Sequence, residues 1–254
     1  MSAVRTRGAR ATQADTYVYG LLAARGDPLP GSLTGVGGRD VEVARLDGCE
    51  ALVSEGVDRD AFGLPADLLA HSHVLDEVAH SRTVVPVAFG TFIPQDGREA
   101  SLDRLREAFD AAVARVEGAV QFTLTVRYRE DSALAELVRE DPRIARLRQQ
   151  TAGTPESAHR SAKLRLGELV VQGLDRKAQA DAARVLGELR PLARETVVRE
   201  RRQADEVVEL AALVDRDRAA EFEAACDHLA GAFAQRTTVR LLGPQAPYDF
   251  VGRT

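Results

Sequence analysis

The side chains best able to do chemistry are scattered, and their spacing works against them. His71, His73 and His80 form a cluster in sequence. On a helix of about 3.6 residues per turn, His71 and His73 point roughly 200° apart and cannot readily share an ion. The three are expected as polar residues on a helix surface. The stretch Gly31-Ser-Leu-Thr-Gly35-Val-Gly-Gly38 is glycine-rich. It lacks the Gly-Lys-Ser/Thr ending of a phosphate loop and a helix directly after it, so an ordinary loop is expected. There is no Gly-x-Ser-x-Gly elbow, and neither Cys49 nor Cys226 sits in a nucleophile motif. No catalytic residue, metal ligand or cofactor-binding residue is assigned, and no cofactor is expected. On count alone the two cysteines could pair. Buried cytosolic thiols are the favoured reading.

Charged residues fall on amphipathic stretches. Asp76-Glu77 and Asp103/Glu107 are expected on solvated helix faces. The arginine-rich runs Arg139 to Arg148 and Arg194 to Arg202 are interleaved with acids. They read first as solvated surface, with a docking surface for an acidic partner as the alternative. The last segment, Gly243-Pro-Gln-Ala-Pro-Tyr-Asp-Phe-Val251, is more informative. Pro244, Pro247, Tyr248 and Phe250 make it too apolar for a discarded terminus. It is expected to pack back on the protein's own sheet, and docking of a partner is the second reading. In an extended segment Tyr248 and Phe250 would share one side, with Asp249 on the other.

These residues need a scaffold, and the patterning predicts a mixed one. Thr16 to Leu22 reads as a strand. Val41 to Leu46 and Glu50 to Ser54 read as a hairpin around Asp47-Gly48. Pro65 opens a helix with Leu68, Leu69, Val74, Leu75 and Val78 as its apolar face. Thr83 to Phe89 is a strand buried on both sides, and Pro86 requires a bulge or a sheet edge there. Leu102, Leu105, Phe109, Ala112, Val113 and Val116 give a helix that ends at Gly118. The alternation from Val120 to Tyr128 predicts a strand with one dry and one wetter face. A short helix at Ser132 to Glu140 precedes Asp141-Pro142. A helix start at Thr154-Pro155-Glu156-Ser157 leads to a helix ending near Leu189, with a break near Gly173. Strands at 196–201 and 206–214, a helix through Phe222 and Phe233, and a strand at Thr237 to Leu242 complete the order.

The fold class is therefore α+β in two domains. Residues 1–15 are a disordered lead-in, and 16–118 form an altered ferredoxin-like N-terminal domain. Residues 119–242 form a ferredoxin-like domain, and 243–254 a Pro/aromatic tail.

Composition narrows the function classes. The 254 residues are 44% hydrophobic and 29% charged, as in ordinary globular proteins. The net charge of -5 argues against a dedicated nucleic-acid binder. The N-terminus lacks the apolar core of a secretory signal, and no run approaches the ~20 apolar residues of a membrane span. No nucleic-acid or membrane partner is expected, and the protein is placed in the cytoplasm.

Three blocks together resemble the F/L (GvpF/GvpL) family of gas vesicle accessory proteins. They are Tyr17-Val-Tyr-Gly20, His73-Val-Leu through Thr83-Val-Val-Pro-Val-Ala-Phe-Gly-Thr91, and Gly243-Pro-x-x-Pro-Tyr-x-Phe-Val251. The strand ending Ala51-Leu-Val-Ser54 fits as well. The resemblance spans about Thr16 to Val251. Gln245 stands where the family usually has an aromatic residue, and Ala88 where it often has a basic one. The resemblance implies a non-enzymatic assembly factor associated with gas vesicles. Its partners would be the hydrophobic shell subunit and other accessory proteins. A small-molecule-sensing regulatory module on a ferredoxin-like fold is the alternative. The branch, F or L, and the oligomeric state are left open.

Overall fold

The computed structural model describes residues 15–23, 29, 31–45, 49–94, 109–153, 155 and 159–252. The lead-in up to residue 14, the Asp47-Gly48 turn, Leu102, Leu105, Asp103 and Glu107 lie outside the described residues. So do Thr154, Glu156 and Ser157. The chain forms two compact units, one of residues 1–117 with 246–254, the other of 118–245.

The first unit is built on an antiparallel sheet. Strands β1 (Thr16–Ala23), β2 (Glu42–Arg45), β3 (Cys49–Glu55) and β4 (Val84–Pro86) take the order β2-β3-β1-β4, and β5 (Phe92–Ile93) also pairs with β1. β1 is almost wholly buried, as expected of a central strand rich in Tyr, Val and Leu. β4 is an edge strand, which is how Pro86 is accommodated: its missing N–H falls where no further strand needs it. Helix α1 (Pro65–Ala79) starts with proline at its first position. The Asp67 carboxylate turns back to accept from the N–H groups of Gly63 and Leu64, both at 3.0 Å.

α1 departs from expectation in which face it buries. Val74, Leu75 and Val78 are inside, but so are Asp67 and His71, while Leu68 and Leu69 are 49% and 71% exposed. The buried positions 67, 71, 74, 75 and 78 form one helical stripe. Two polar residues occupy its N-terminal end, so the leucines beside them turn outward. The described part of a further helix, α2, covers 109–116, with Phe109 and Val116 buried.

The second unit has the sheet order β7-β8-β6-β9, every neighbouring pair antiparallel. Its strands are β6 (Ala119–Tyr128), β7 (Glu195–Val198), β8 (Glu206–Asp215) and β9 (Thr237–Gln245). Between β6 and β7 lie α3 (Glu130–Glu140), α4 (Pro142–Thr151) and α5 (Arg160–Leu189), and α6 (Ala219–Phe233) joins β8 to β9. Phe122, Leu124 and Val126 are buried with Ala178, Val185 and Leu189 of α5 and Phe222, Leu229 and Phe233 of α6. The opposite face of β6 is drier than expected: Gln121 and Thr123 are buried too. They are hydrogen-bonded to each other at 3.3 Å, and Thr123 donates to Gln245 at 3.2 Å, which satisfies the polar groups.

One helix is not among those expected, and one helix expectation needs correction. Asp141-Pro142 begins the unexpected helix, α4. Asp141 accepts the N–H of Arg143 at 2.9 Å, and Pro142 takes the first helical position of α4. α5 is continuous across Gly173. A Cβ there would lie 2.6 Å from Cδ1 of Leu137, so this glycine allows α3 to approach α5 and does not break the helix.

Candidate functional site

The sequence-predicted histidines separate as helical geometry requires, with one surprise. His73 is exposed beside Glu77, but His71 is 1% exposed. Its ring stacks on Tyr19, with centroids 5.6 Å apart, and meets Phe89 edge-on. Nδ1 is 2.8 Å from the Tyr17 hydroxyl. That hydroxyl also receives a long contact from the Gly90 N–H at 3.4 Å. Tyr17 therefore donates to Nδ1, and His71 is a neutral ring carrying its proton on Nε2. Nε2 itself has no hydrogen bond of good geometry. Burial holds the His71 pKa down to about 4, with the Val87 backbone weakly opposing. Burial pushes the Tyr17 and Tyr19 hydroxyls above the usual tyrosine range. Tyr19 accepts the Val36 N–H at 2.8 Å and pairs with the Ser54 hydroxyl at 2.9 Å. The shifts move all three pKa values away from pH 7 and keep the groups uncharged there, the opposite of what acid–base catalysis needs. This cluster is a hydrogen-bonded aromatic core.

The tail is built into the first unit. β9 carries a cis Gly243–Pro244 bond just before its last residue, Gln245, with Gly243 at φ +142°. A Cβ there would come 2.5 Å from the Phe122 ring. Beyond it, the Ala246 N–H donates to the Asp76 carboxylate of α1 at 2.9 Å, and Ala246 joins the core of Tyr17, Tyr19, Val74 and Leu75. Asp76 is thus a tail anchor rather than the plain solvated acid expected. Pro247 is buried and Pro244 half-buried. The segment is not extended: the Phe250 N–H returns to the Pro247 carbonyl at 3.1 Å and closes a turn. That turn separates the two rings that an extended chain would align. Phe250 is 1% exposed, and Tyr248 37%. The Tyr248 hydroxyl is nonetheless pushed above its usual range by burial and by Asp76, with Ser72 hydrogen-bonding to it.

The remaining predicted residues sort simply. Cys49 and Cys226 are buried free thiols, and burial pushes Cys226 up to about 12. Phe122 and Tyr128 are buried, so neither ring is available to stack on a base. Arg194, Arg199 and Arg201 pair with Asp215, Glu209 and Asp175. Among the described residues no group of three or more His, Cys, Asp or Glu side chains is placed to hold a metal. No helix among them is long and apolar enough to cross a membrane. The surface feature that sequence reasoning missed is apolar. Leu64, Leu68 and Leu69 project from the start of α1, with Leu64 61% exposed.

Two antiparallel sheets with helices, and an aromatic tail, define a protein of mixed helix and sheet whose described residues carry an apolar helix face. The gas vesicle synthesis protein GvpL/GvpF family profile matches residues 15–252, and the chain belongs to that family. It therefore has a role in gas vesicle formation. It is 28% identical over 240 residues to gas vesicle protein F of Streptomyces sp. (strain CB03234), covering 93% of this chain and 99% of that one. It is 22% identical over 242 residues to gas vesicle protein F of Nostoc sp. (strain PCC 7120), covering 92% and 96%. The fold is similar to the crystal structure of GvpF from Anabaena sp. PCC7120, at TM-score 0.79 and 20% identity, covering 95% and 99%. It is also similar to that of GvpF from Microcystis aeruginosa, at TM-score 0.72 and 19% identity, covering 94% and 99%.

Proposed function

We propose that this protein is a non-enzymatic assembly factor that binds the hydrophobic gas vesicle shell subunit, or another accessory protein, in the cytoplasm during vesicle formation. The observation that carries this reading is the family match over nearly the whole chain. The exposed leucines of α1 support it physically. Leu64 and Leu68 are one helical turn apart, and Leu69 adjoins them. A helix face of this kind can cover apolar surface on a subunit that would otherwise aggregate. Tyr248, exposed on the same unit and held through Asp76 and Ser72, is the tail residue we assign to partner contact. Pro244, Pro247 and Phe250 are assigned to holding the tail in place. We read the two compact units as the two domains of the protein. The strand order of the second, a β-α-β-β-α-β sequence with extra helices in its first crossover, supports a ferredoxin-like class.

The test is recovery from cells expressing the complete vesicle gene cluster. Tagged wild-type protein should bring down shell or accessory proteins. Leu68→Glu with Leu69→Glu should reduce that recovery while leaving the melting temperature nearly unchanged, because both side chains already face solvent. Recovery of no vesicle protein by a tagged chain that still supports vesicle formation would sink the reading.

A further inference from the structure

The second unit contains a cleft that the apolar surface of α1 does not explain. Its volume is about 500 Å3, and its walls come from α3, α5, α6 and the turn before β9. Three arginines line it, one from α3 (Arg139), one from α5 (Arg184) and one from the turn (Arg236), against a single lining carboxylate, Glu136. The lining is therefore basic although the chain carries a net charge of -5, with Asp181 and Glu188 pairing two of the arginines from outside the lining.

Two of the guanidinium groups are fixed before any ligand arrives. Arg184 and Arg236 each lie 5.0 Å from the centroid of the Phe233 ring, which is itself buried. Arg236 is also held from below by Asp181 at 2.6 Å and Glu136 at 3.3 Å. Lys177 at 3.1 Å shares Glu136, so that carboxylate is divided between two cations. Arg184 contacts Glu188 at 3.3 Å, but this is an exposed i,i+4 pair that a competing carboxylate can displace. Arg139 bonds an α3 carbonyl, from Ala135, at 3.4 Å, a contact that leaves most of its donors for solvent.

We propose that this arginine cleft docks an acidic segment of a protein partner in vesicle assembly. Planar guanidinium groups bind carboxylates through paired hydrogen bonds, and fixing them on an aromatic ring lowers the entropy lost on binding. The cleft is large enough for a few side chains and is bounded by Glu136. That fits discrete carboxylates better than a continuous polyphosphate backbone. The inference rests on the assembly reading and adds a second, polar contact on the other unit.

Two measurements test it, both on the full-length protein. The first is fluorescence anisotropy with a labelled peptide of alternating Glu and Leu, a Gln/Leu peptide of the same length, and a single-stranded DNA oligonucleotide. The Glu peptide should bind saturably, more weakly as salt rises. Arg139→Gln with Arg184→Gln should weaken it at least about tenfold. Both side chains are largely exposed, so the variant should keep its melting temperature. Arg45→Gln, on the first unit, should leave binding unchanged. Equal binding by the double variant, equal binding of the Gln peptide, or tighter binding of the oligonucleotide would overturn the proposal. The second measurement repeats the recovery from vesicle-forming cells. Loss of a vesicle protein from the arginine variant, with wild type retaining it, supports the cleft. The same set recovered by both overturns the cleft and leaves the assembly reading standing. No vesicle protein recovered by the wild type removes the assembly reading, and the docking role with it.

Discussion

Each unit buries a tyrosine hydroxyl against a titratable partner, and the two solve the problem differently. In the first, Tyr17 donates to a neutral His71 inside a shell of Tyr19, Phe62, Phe89 and Phe92. In the second, Tyr128 donates to the Asp181 carboxylate at 2.6 Å, and Asp181 is bound by Arg236 at 2.6 Å. A neutral pair needs only one good hydrogen bond, because neither member carries a charge out of water. A carboxylate needs its cation and its donors all at once, and the cation must be supported in turn. The first unit accordingly closes its site with aromatic rings. The second leaves the outer side of its ion network open to the arginine cleft. Buried charge brings with it a polar surface that a partner can use, whereas a buried neutral pair ends in packing.

The sharpest way to break this contrast is to remove a tail residue that follows the last strand of the second unit in sequence and is buried in the first unit. Phe250→Ala should destabilise the first unit by about 4 kcal/mol, the usual cost of deleting a fully buried ring. Hydrogen exchange would show it: amides of β1 and β3 should lose protection, and those of β6 and β8 should not. Loss confined to β6 and β8 would return the tail to the sheet it follows.

A slightly smaller effect is expected from Asp181→Ala, on the order of 3 kcal/mol, because Arg236 and Tyr128 are left without their shared acceptor. Removing the tyrosine hydroxyl as well, by Tyr128→Phe, should cost less than the sum of the two separate changes. Urea unfolding of the four proteins in that cycle gives the coupling, and strict additivity would show that the network is not a unit.

The third test uses pH and separates the neutral pair from the charged one. His71 unfolded takes up a proton near 6.5, and folded only near 4. Between those values the unfolded chain binds more protons, so stability falls as pH drops. Its contribution is fully present above about pH 6.5. By pH 4 it has lost up to roughly 3 kcal/mol, at about 1.4 kcal/mol per pH unit. His71→Phe should flatten the slope of stability against pH in that window, whatever it does to the stability at pH 7. A slope equal to that of the wild type would mean that His71 is not held neutral.

What could be read from the sequence divides along the same line. The alternation of Val120 to Tyr128 located β6 because burial on its helix-covered face repeats every second residue. Pro65 located the start of α1, and Pro86 pointed to a sheet edge, since proline's missing donor is a local property. Misreadings came where distant residues decide. His71 sits on the inner stripe of α1 because Tyr17, from the distant β1, meets it there, whereas Asp67 is held locally by the Gly63 and Leu64 amides. A pattern that admits only apolar residues puts Leu68 and Leu69 in their place. Asp76 looks solvated until Ala246, 170 residues later, donates to it. The arginine cleft needs α3, α5 and α6 side by side, and no local spacing announces that. A search for helical stripes that tolerates one buried polar residue per turn would have found the inner face of α1.

The smallest expected effect is the one that bears most on function. Tyr248→Ala removes a ring that is 37% exposed, whose hydroxyl rests near Asp76 and Ser72. The Ala246–Asp76 bond and the turn from Pro247 to Phe250 are backbone contacts on at least one side and survive the change. Stability should therefore fall by less than about 1 kcal/mol, the scale of one partly exposed hydrogen bond and some lost apolar area. If the ring only covers the tail, vesicle yield should follow that small loss, and a mild stabilising change elsewhere should restore it. If the ring meets a partner, yield should drop well beyond what the melting temperature predicts, and no stabilising change should rescue it. Tyr248→Phe separates the two parts of the side chain. It keeps the apolar face and loses the hydroxyl, so partner contact through the ring predicts near-normal vesicles. A yield as poor as that of Tyr248→Ala would place the contact at the hydroxyl, beside Asp76 on α1. We assign the contact to the ring, because the hydroxyl is already engaged by Ser72 and the exposed part of the residue is what remains to be covered.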